Sequence, residues 1–196
     1  MEWLVPLLLF VLVSTVTPGP NNLLLAASGL RFGVRGTLPH LLGIHIGVYG
    51  LVILSGLGLG QLLVSLPGFA VGLKVFATCY LIYLAWQILG LRLGEGSEVS
   101  RPMRTWEAGL FQLSNPKAWM MAITGLNLAL VADQSMPMAV LMLCLGFATL
   151  GTLCNLVWIV MGASLQTHLR HPVKRRVING GLAFATVLTI GAFWLY

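Results

Sequence analysis

Long apolar runs fill this chain, and its polar residues gather in short clusters between them. Runs of about 20 apolar residues predict membrane-spanning helices. The pattern predicts six: about 3–30, 38–64, 73–93, 105–131, 138–165 and 177–196. Polar or turn-forming residues separate them: Arg31 and Arg35 with Gly33 and Gly36, then Ser65-Leu66-Pro67-Gly68, the stretch 94–104, Asp133 to Pro137, and the basic stretch 168–176. Two of the six runs are broken from within. Thr17-Pro18-Gly19-Pro20-Asn21-Asn22 interrupts the first, and Ser114-Asn115-Pro116-Lys117 interrupts the fourth. Proline removes a backbone donor and breaks a helix. At membrane depth such backbone persists only where protein buries it or where it lines a wet cavity. A proline kink that merely shapes packing is the alternative reading of each break taken alone. Two breaks, each with asparagine beside proline and in corresponding places, point to one polar site.

Composition agrees with the spans and excludes a soluble fold. Of 196 residues, 58% are hydrophobic and 8% charged, against about 25% charged in soluble domains. The expected fold is an all-α integral membrane protein, a single transmembrane domain over 1–196 with no room for a soluble one. Only Met1-Glu2 precedes the first apolar run, so that run is expected to stay as a span rather than be cleaved. Cys79, Cys144 and Cys154 lie in apolar segments at spacings that suit no metal motif, and read as small buried hydrophobes.

The net charge of +6 follows the loops and forms no continuous basic face, so nucleic acid is not an expected partner. Nine of the eleven Lys and Arg residues stand in three alternate loops: Arg31 and Arg35; Arg92, Arg101 and Arg104; Arg170, Lys174, Arg175 and Arg176. The positive-inside rule makes those loops cytoplasmic and turns both termini outward. Trp3, Trp194 and Tyr196 then lie at the outer interface and Trp106 at the inner one. An odd number of spans separates the two breaks, so the second unit is inverted relative to the first. This predicts two inverted three-helix repeats, about 1–93 and about 105–196, with spans one and four broken, as in many secondary transporters.

Both breaks fall about 13 Å from the cytoplasmic loops, at 1.5 Å per residue. Each second half-helix starts at its break, so two N-termini point into one site with free N–H groups suited to a carboxylate. The first halves end in free carbonyls near 15–17 and at Leu113, which suit an ammonium. Asn21, Asn22 and Asn115 add amides. The predicted ligand is a zwitterion, a free amino acid being the simplest. The candidate substrate-binding residues are Thr17, Pro18, Gly19, Pro20, Asn21, Asn22, Ser114, Asn115, Pro116 and Lys117.

Ionisable residues within spans are functional candidates. Lys117 can hold a carboxylate or snorkel to the interface. Lys74 reads as snorkelling. His45 and Glu107 are candidate proton carriers; a satisfied interior histidine and a solvated helix-start acid are the competing readings. His40 and His45 lie about 140° apart on a helix, too far round to share a metal. His168 and His171 read as solvated. Asn127 and Asn155 are further intramembrane amides, lining a pathway or cross-linking helices. Gly43-xxx-Gly47 and Gly56-xxx-Gly60 suit close helix packing within the protomer or in a homodimer. No paired carboxylates, metal cluster or Ser/His motif suggests an enzyme, and no Walker motif suggests direct use of ATP.

The motif at 17–22 followed by Gly29 to Gly36, the Ser-Asn-Pro-Lys sequence at 114–117 and the run Tyr80-Leu-Ile-Tyr-Leu-Ala-Trp86 resemble the amino-acid exporters of the LysE/RhtB superfamily. The resemblance spans the whole chain. It implies a multi-pass protein of the bacterial cytoplasmic membrane that exports amino acids or close derivatives, driven by a proton gradient and without a cofactor. The superfamily's lysine/arginine exporters carry an aspartate pair in spans two and four. Here the comparable regions read Gly43-Ile44-His45-Ile46-Gly47 and Trp119-Met120-Met121-Ala122. A cationic substrate would lack its counter-charge, so the expected substrate is neutral, of the threonine, homoserine or cysteine type. Export of another small polar metabolite or a basic amino acid, or a passive channel, is the alternative.

Overall fold

A computed structural model describes residues 2–59 and 101–165, together with scattered positions within 65–86 and 173–191. Most of span three with Lys74 and the Tyr80 run, the loop bearing His168 and His171, and most of span six with Trp194 and Tyr196 lie outside the described residues. So does Gly60 of the second glycine pair.

The described secondary structure is helical. Helix α1 covers Leu4–Val16 and α2 covers Pro20–Gly56. Helix α3, Thr105–Phe111, runs into a 3₁₀ turn at Gln112–Ser114, and α4 follows at Pro116–Val131. Helix α5, Met136–Gly146, passes through a π-helical turn at Phe147–Gly151 into α6, Thr152–Ser164. Two continuous helical stretches, Pro20–Gly56 and Met136–Ser164, are long and apolar enough to cross a membrane.

The sequence sets both breaks locally. A residue before proline avoids helical ψ, and Thr17, before Pro18, turns out to ψ 132°. Helix α2 restarts with Pro20 at its first position, where the missing N–H costs nothing. The second break repeats the device. Asn115 precedes Pro116 with ψ 101°, and its side-chain oxygen accepts the Lys117 N–H at 3.2 Å, an ordinary N-cap.

Where the sequence predicts a loop at 31–36, the structure bends at one residue. Gly33 has φ 70° and ψ −179°, a region open essentially to glycine. The arms on either side remain helical and are tied by buried hydroxyls: Ser28 Oγ lies 3.0 Å from Thr37 Oγ1, which donates to Gly33 O at 2.9 Å. Helix α2 closes at Gly56, inside the predicted second span, whose residues 60–64 lie outside the described residues. Leu57 and Gly58 form a turn, with Gly58 at φ 97°.

Glycines let the helices meet backbone to backbone. A Cβ on Gly162 would lie 2.0 Å from Ala26 O, and one on Gly29 2.3 Å from Ile159 O. The first arm of α2 therefore crosses α6 at van der Waals contact. The second arm meets α3 in the same way: a Cβ on Gly43 would lie 2.2 Å from Thr105 O, and one on Gly47 2.6 Å from Gly109 O. The Gly43-xxx-Gly47 face is thus covered by the chain's own α3 and cannot serve as a homodimer contact.

The core between these helices includes Leu7, Val11, Leu25, Leu51, Leu126, Leu143 and Ile159. Outward faces are equally apolar. Leu38, Leu42 and Ile46 form one exposed stripe, and Leu153, Val157 and Met161 another, each at four-residue spacing. Water would not tolerate such stripes over so much of a monomer's surface; hydrocarbon would.

Candidate functional site

The two breaks meet. Asn21 Nδ2 donates to Gln112 Oε1 at 2.9 Å, and Gln112 Nε2 donates to Asn21 Oδ1 at 3.1 Å. This reciprocal amide pair ties the start of α2 to the end of α3. Gln112 is fully buried; its Nε2 also donates to Ala108 O, and its Oε1 accepts from Asn115 Nδ2 at 3.3 Å. Gln112 lies outside both motifs, and its one signal in the sequence is its place three residues before Asn115.

Lys117 closes the second link. Its ammonium donates to Thr17 O at 2.6 Å and faces Pro18 O at 3.5 Å. Gly19 leaves space for this side chain, since a Cβ there would lie 2.8 Å from Lys117 Cδ. Asn22 Nδ2 donates to Thr15 O and Thr17 O at 2.7 and 2.8 Å. The carbonyl end of α1, predicted to wait for a substrate ammonium, is therefore already served by Lys117 and Asn22. Leu113 O likewise accepts from Trp119 Nε1 at 2.9 Å. The motif amides are thus used largely to hold the breaks in shape. Of the two predicted helix N-termini, that of α4 is closed by Asn115, whose side chain takes the Lys117 N–H and whose carbonyl takes those of Ala118 and Trp119. The N-terminus of α2 stays open: the first N–H there to reach a carbonyl is that of Leu23, on Gly19 O.

A cavity of about 30 Å³ lies beside the joined breaks. Gly19, Asn21, Asn22, Asn115 and Lys117 line it from the breaks, Ser14 and Thr15 from α1, and Ile44, His45 and Val48 from the second arm of α2. Met121 of α4, Phe147 and Gly151 of the π-helical turn, and Asn155 of α6 complete the wall. π-Helical turns frequently mark functional sites, and this one leaves no mark in the sequence because its residues are apolar or small. Thr17, Pro18, Pro20, Ser114 and Pro116 form the breaks without lining the cavity.

The two proton candidates part company. His45 lines the cavity, with Nε2 3.1 Å from Thr152 Oγ1. Thr152 gives its own hydrogen to Ala148 O, so Nε2 is the donor and Nδ1 is the free acceptor of the neutral ring. Glu107 is at the start of α3, outside the cavity. It accepts the Arg104 N–H at the helix start and pairs with Arg101 at 2.6 Å. The hydrogen bonds that Arg101 donates to Glu107 hold its guanidinium above its ordinary pKa. His40 is buried with both ring nitrogens unpartnered, apart from the cavity lining. Among the described residues no group of His, Cys, Asp or Glu is arranged to hold a metal ion.

A cavity built at two broken, apolar helices has the construction of a transport site. The sequence profile of the LysE type translocator family matches residues 12–196. The chain belongs to this family. It is a membrane translocator and not an enzyme. Among its relatives is a protein of Klebsiella pneumoniae named cysteine/O-acetylserine efflux protein, 30% identical over 160 residues, which are 81% of each chain. A protein of the same name from Escherichia coli is 27% identical over 162 residues, 82% of this chain and 83% of that one. No solved structure matches the chain.

Proposed function

We propose that this translocator exports small neutral amino acids, of the threonine, homoserine or cysteine type, from the cytoplasm by alternating access coupled to the proton gradient. The observation that carries the reading is the cavity at the joined breaks. Lys117 keeps N–H capacity beyond its two carbonyl partners, and with the open N-terminus of α2 it suits a substrate carboxylate. Among the described residues no carboxylate lines the cavity, which favours an uncharged substrate side chain over that of lysine or arginine. Relatives named for efflux of cysteine and O-acetylserine support the same substrate class. His45, with a free ring nitrogen on the cavity, is the proton carrier of this proposal, and Glu107 is not.

The pairing of two similar breaks, each a pre-proline residue followed by proline at a helix start, supports the inverted repeat. The basic loops support a cytoplasmic-membrane protein with both termini outward. The test is efflux from preloaded proteoliposomes over a panel of labelled amino acids, with and without a pH gradient. Gradient-stimulated flux of neutral amino acids is expected, lost in Lys117→Met and no longer gradient-stimulated in His45→Gln. Flux of lysine or arginine alone, or none in folded protein, would refute the reading.

A further inference from the structure

The asparagines of the two motifs are mostly occupied by bonds within the breaks, and the cavity has free polar groups elsewhere in its lining. The clearest is Thr15. It is 6% exposed, and its hydroxyl has no hydrogen-bond partner. A helical threonine ordinarily returns its hydroxyl to a carbonyl one turn back. Ser14, Thr17, Thr149 and Thr152 all do so, whereas Thr15 does not. Its Oγ1 instead lies towards Gly151, 3.8 Å from where a Cβ would stand on that cavity-lining glycine. Asn155, one helical turn beyond Gly151, is 5% exposed and also lines the cavity. Among the described residues none hydrogen-bonds its side-chain amide.

We propose that Thr15 and Asn155 form a side-chain subsite that selects amino acids bearing a small hydrogen-bonding group, a hydroxyl or thiol, close to Cβ. The proposal rests on the reading of this cavity as the substrate site, with the carboxylate at Lys117. A buried hydroxyl that neither the helix nor a neighbour satisfies is costly unless a ligand or water completes it. An amide lining the same cavity can both donate and accept, and so adapts to a hydroxyl or a thiol. Bare Gly151 leaves the space that the substrate group would occupy. A site built to hydrogen-bond a substrate hydroxyl rejects the analogue lacking it, because its own polar groups are then left unpaired.

Serine and alanine differ by that one hydroxyl. The experiment measures efflux of labelled serine and alanine from proteoliposomes containing the wild-type protein, Thr15→Val, Thr15→Ser and Asn155→Leu, each checked for monodispersity after solubilisation. Wild type is expected to favour serine. Thr15→Val, nearly isosteric but without the hydroxyl, should lower the serine-to-alanine ratio about three- to tenfold, the worth of one neutral hydrogen bond, with alanine flux retained. Thr15→Ser should restore the ratio. Asn155→Leu should lower it in the same direction, and carries the test if Thr15→Val does not fold. An unchanged ratio, or equal loss of both fluxes, would overturn the subsite while leaving amino-acid export standing. Absence of flux for every amino acid in wild-type protein would instead overturn the export reading itself.

Discussion

If the reciprocal amide pair between Asn21 and Gln112 holds the two breaks together, the two residues must be energetically coupled. The perturbations are Asn21→Leu, Gln112→Leu and the double variant. The pair contains two hydrogen bonds, at 2.9 and 3.1 Å. Inter-helical hydrogen bonds in membrane proteins average about 0.6 kcal/mol, and buried neutral ones in soluble proteins about 1 kcal/mol. The coupling should therefore be about 1–2 kcal/mol. Gln112→Leu alone should cost more, about 2–4 kcal/mol, because it also strips the fully buried Asn115 Nδ2 of its acceptor. The double variant should be no less stable than Gln112→Leu, since it removes both members of the stranded pair. The assay is an unfolding titration in mixed micelles, analysed as a double-mutant cycle, with efflux measured in parallel. Losses that add to within about 0.5 kcal/mol would refute the claim that this pair fastens the breaks.

Other outcomes follow from the packing. Gly162→Ala and Gly29→Ala place a methyl on a facing carbonyl and should each cost about 1–3 kcal/mol, whereas Gly50→Ala, with open space around it, should not lower the melting temperature; equal melting temperatures for all three would contradict the crossing. Gly33→Ala meets no steric obstacle but forces alanine into a glycine backbone region, so about 1–3 kcal/mol should be lost and amide exchange should quicken around residues 28–37. Glu107→Gln removes a partly exposed carboxylate, outside the cavity and paired with Arg101, and should leave the pH profile of efflux unchanged; a displaced profile would return Glu107 to the proton pathway.

The two long apolar helical stretches, Pro20–Gly56 and Met136–Ser164, the breaks and the membrane setting were legible because they depend on local chemistry. Apolar runs of sufficient length need hydrocarbon around them, and proline ends a helix wherever it falls. Asn115 as the cap before Pro116, and Pro20 at a helix start, are set within a few residues. The partners of those residues were not legible. Gln112 is a single amide in an apolar run, and only the meeting of α2 with α3 gives it Asn21. The Gly43 and Gly47 pair leaves a dimer face open as the second reading until α3 is seen lying on it. Lys117 could face a substrate, lipid headgroups or carbonyls; the fold presents it with Thr17 O.

The sequence by itself determined that the helices form, where two of them break, and that polar groups accumulate at the breaks. Tertiary structure alone decided which of those groups satisfy one another and which stay open. That division has a physical reason: every buried donor and acceptor seeks a partner, and a hydrogen bond between residues 91 positions apart leaves no trace in local periodicity. Thr15 is an unremarkable helical threonine in the sequence. It becomes a candidate binding group only because the π-helical turn of a distant helix brings a bare glycine to its hydroxyl.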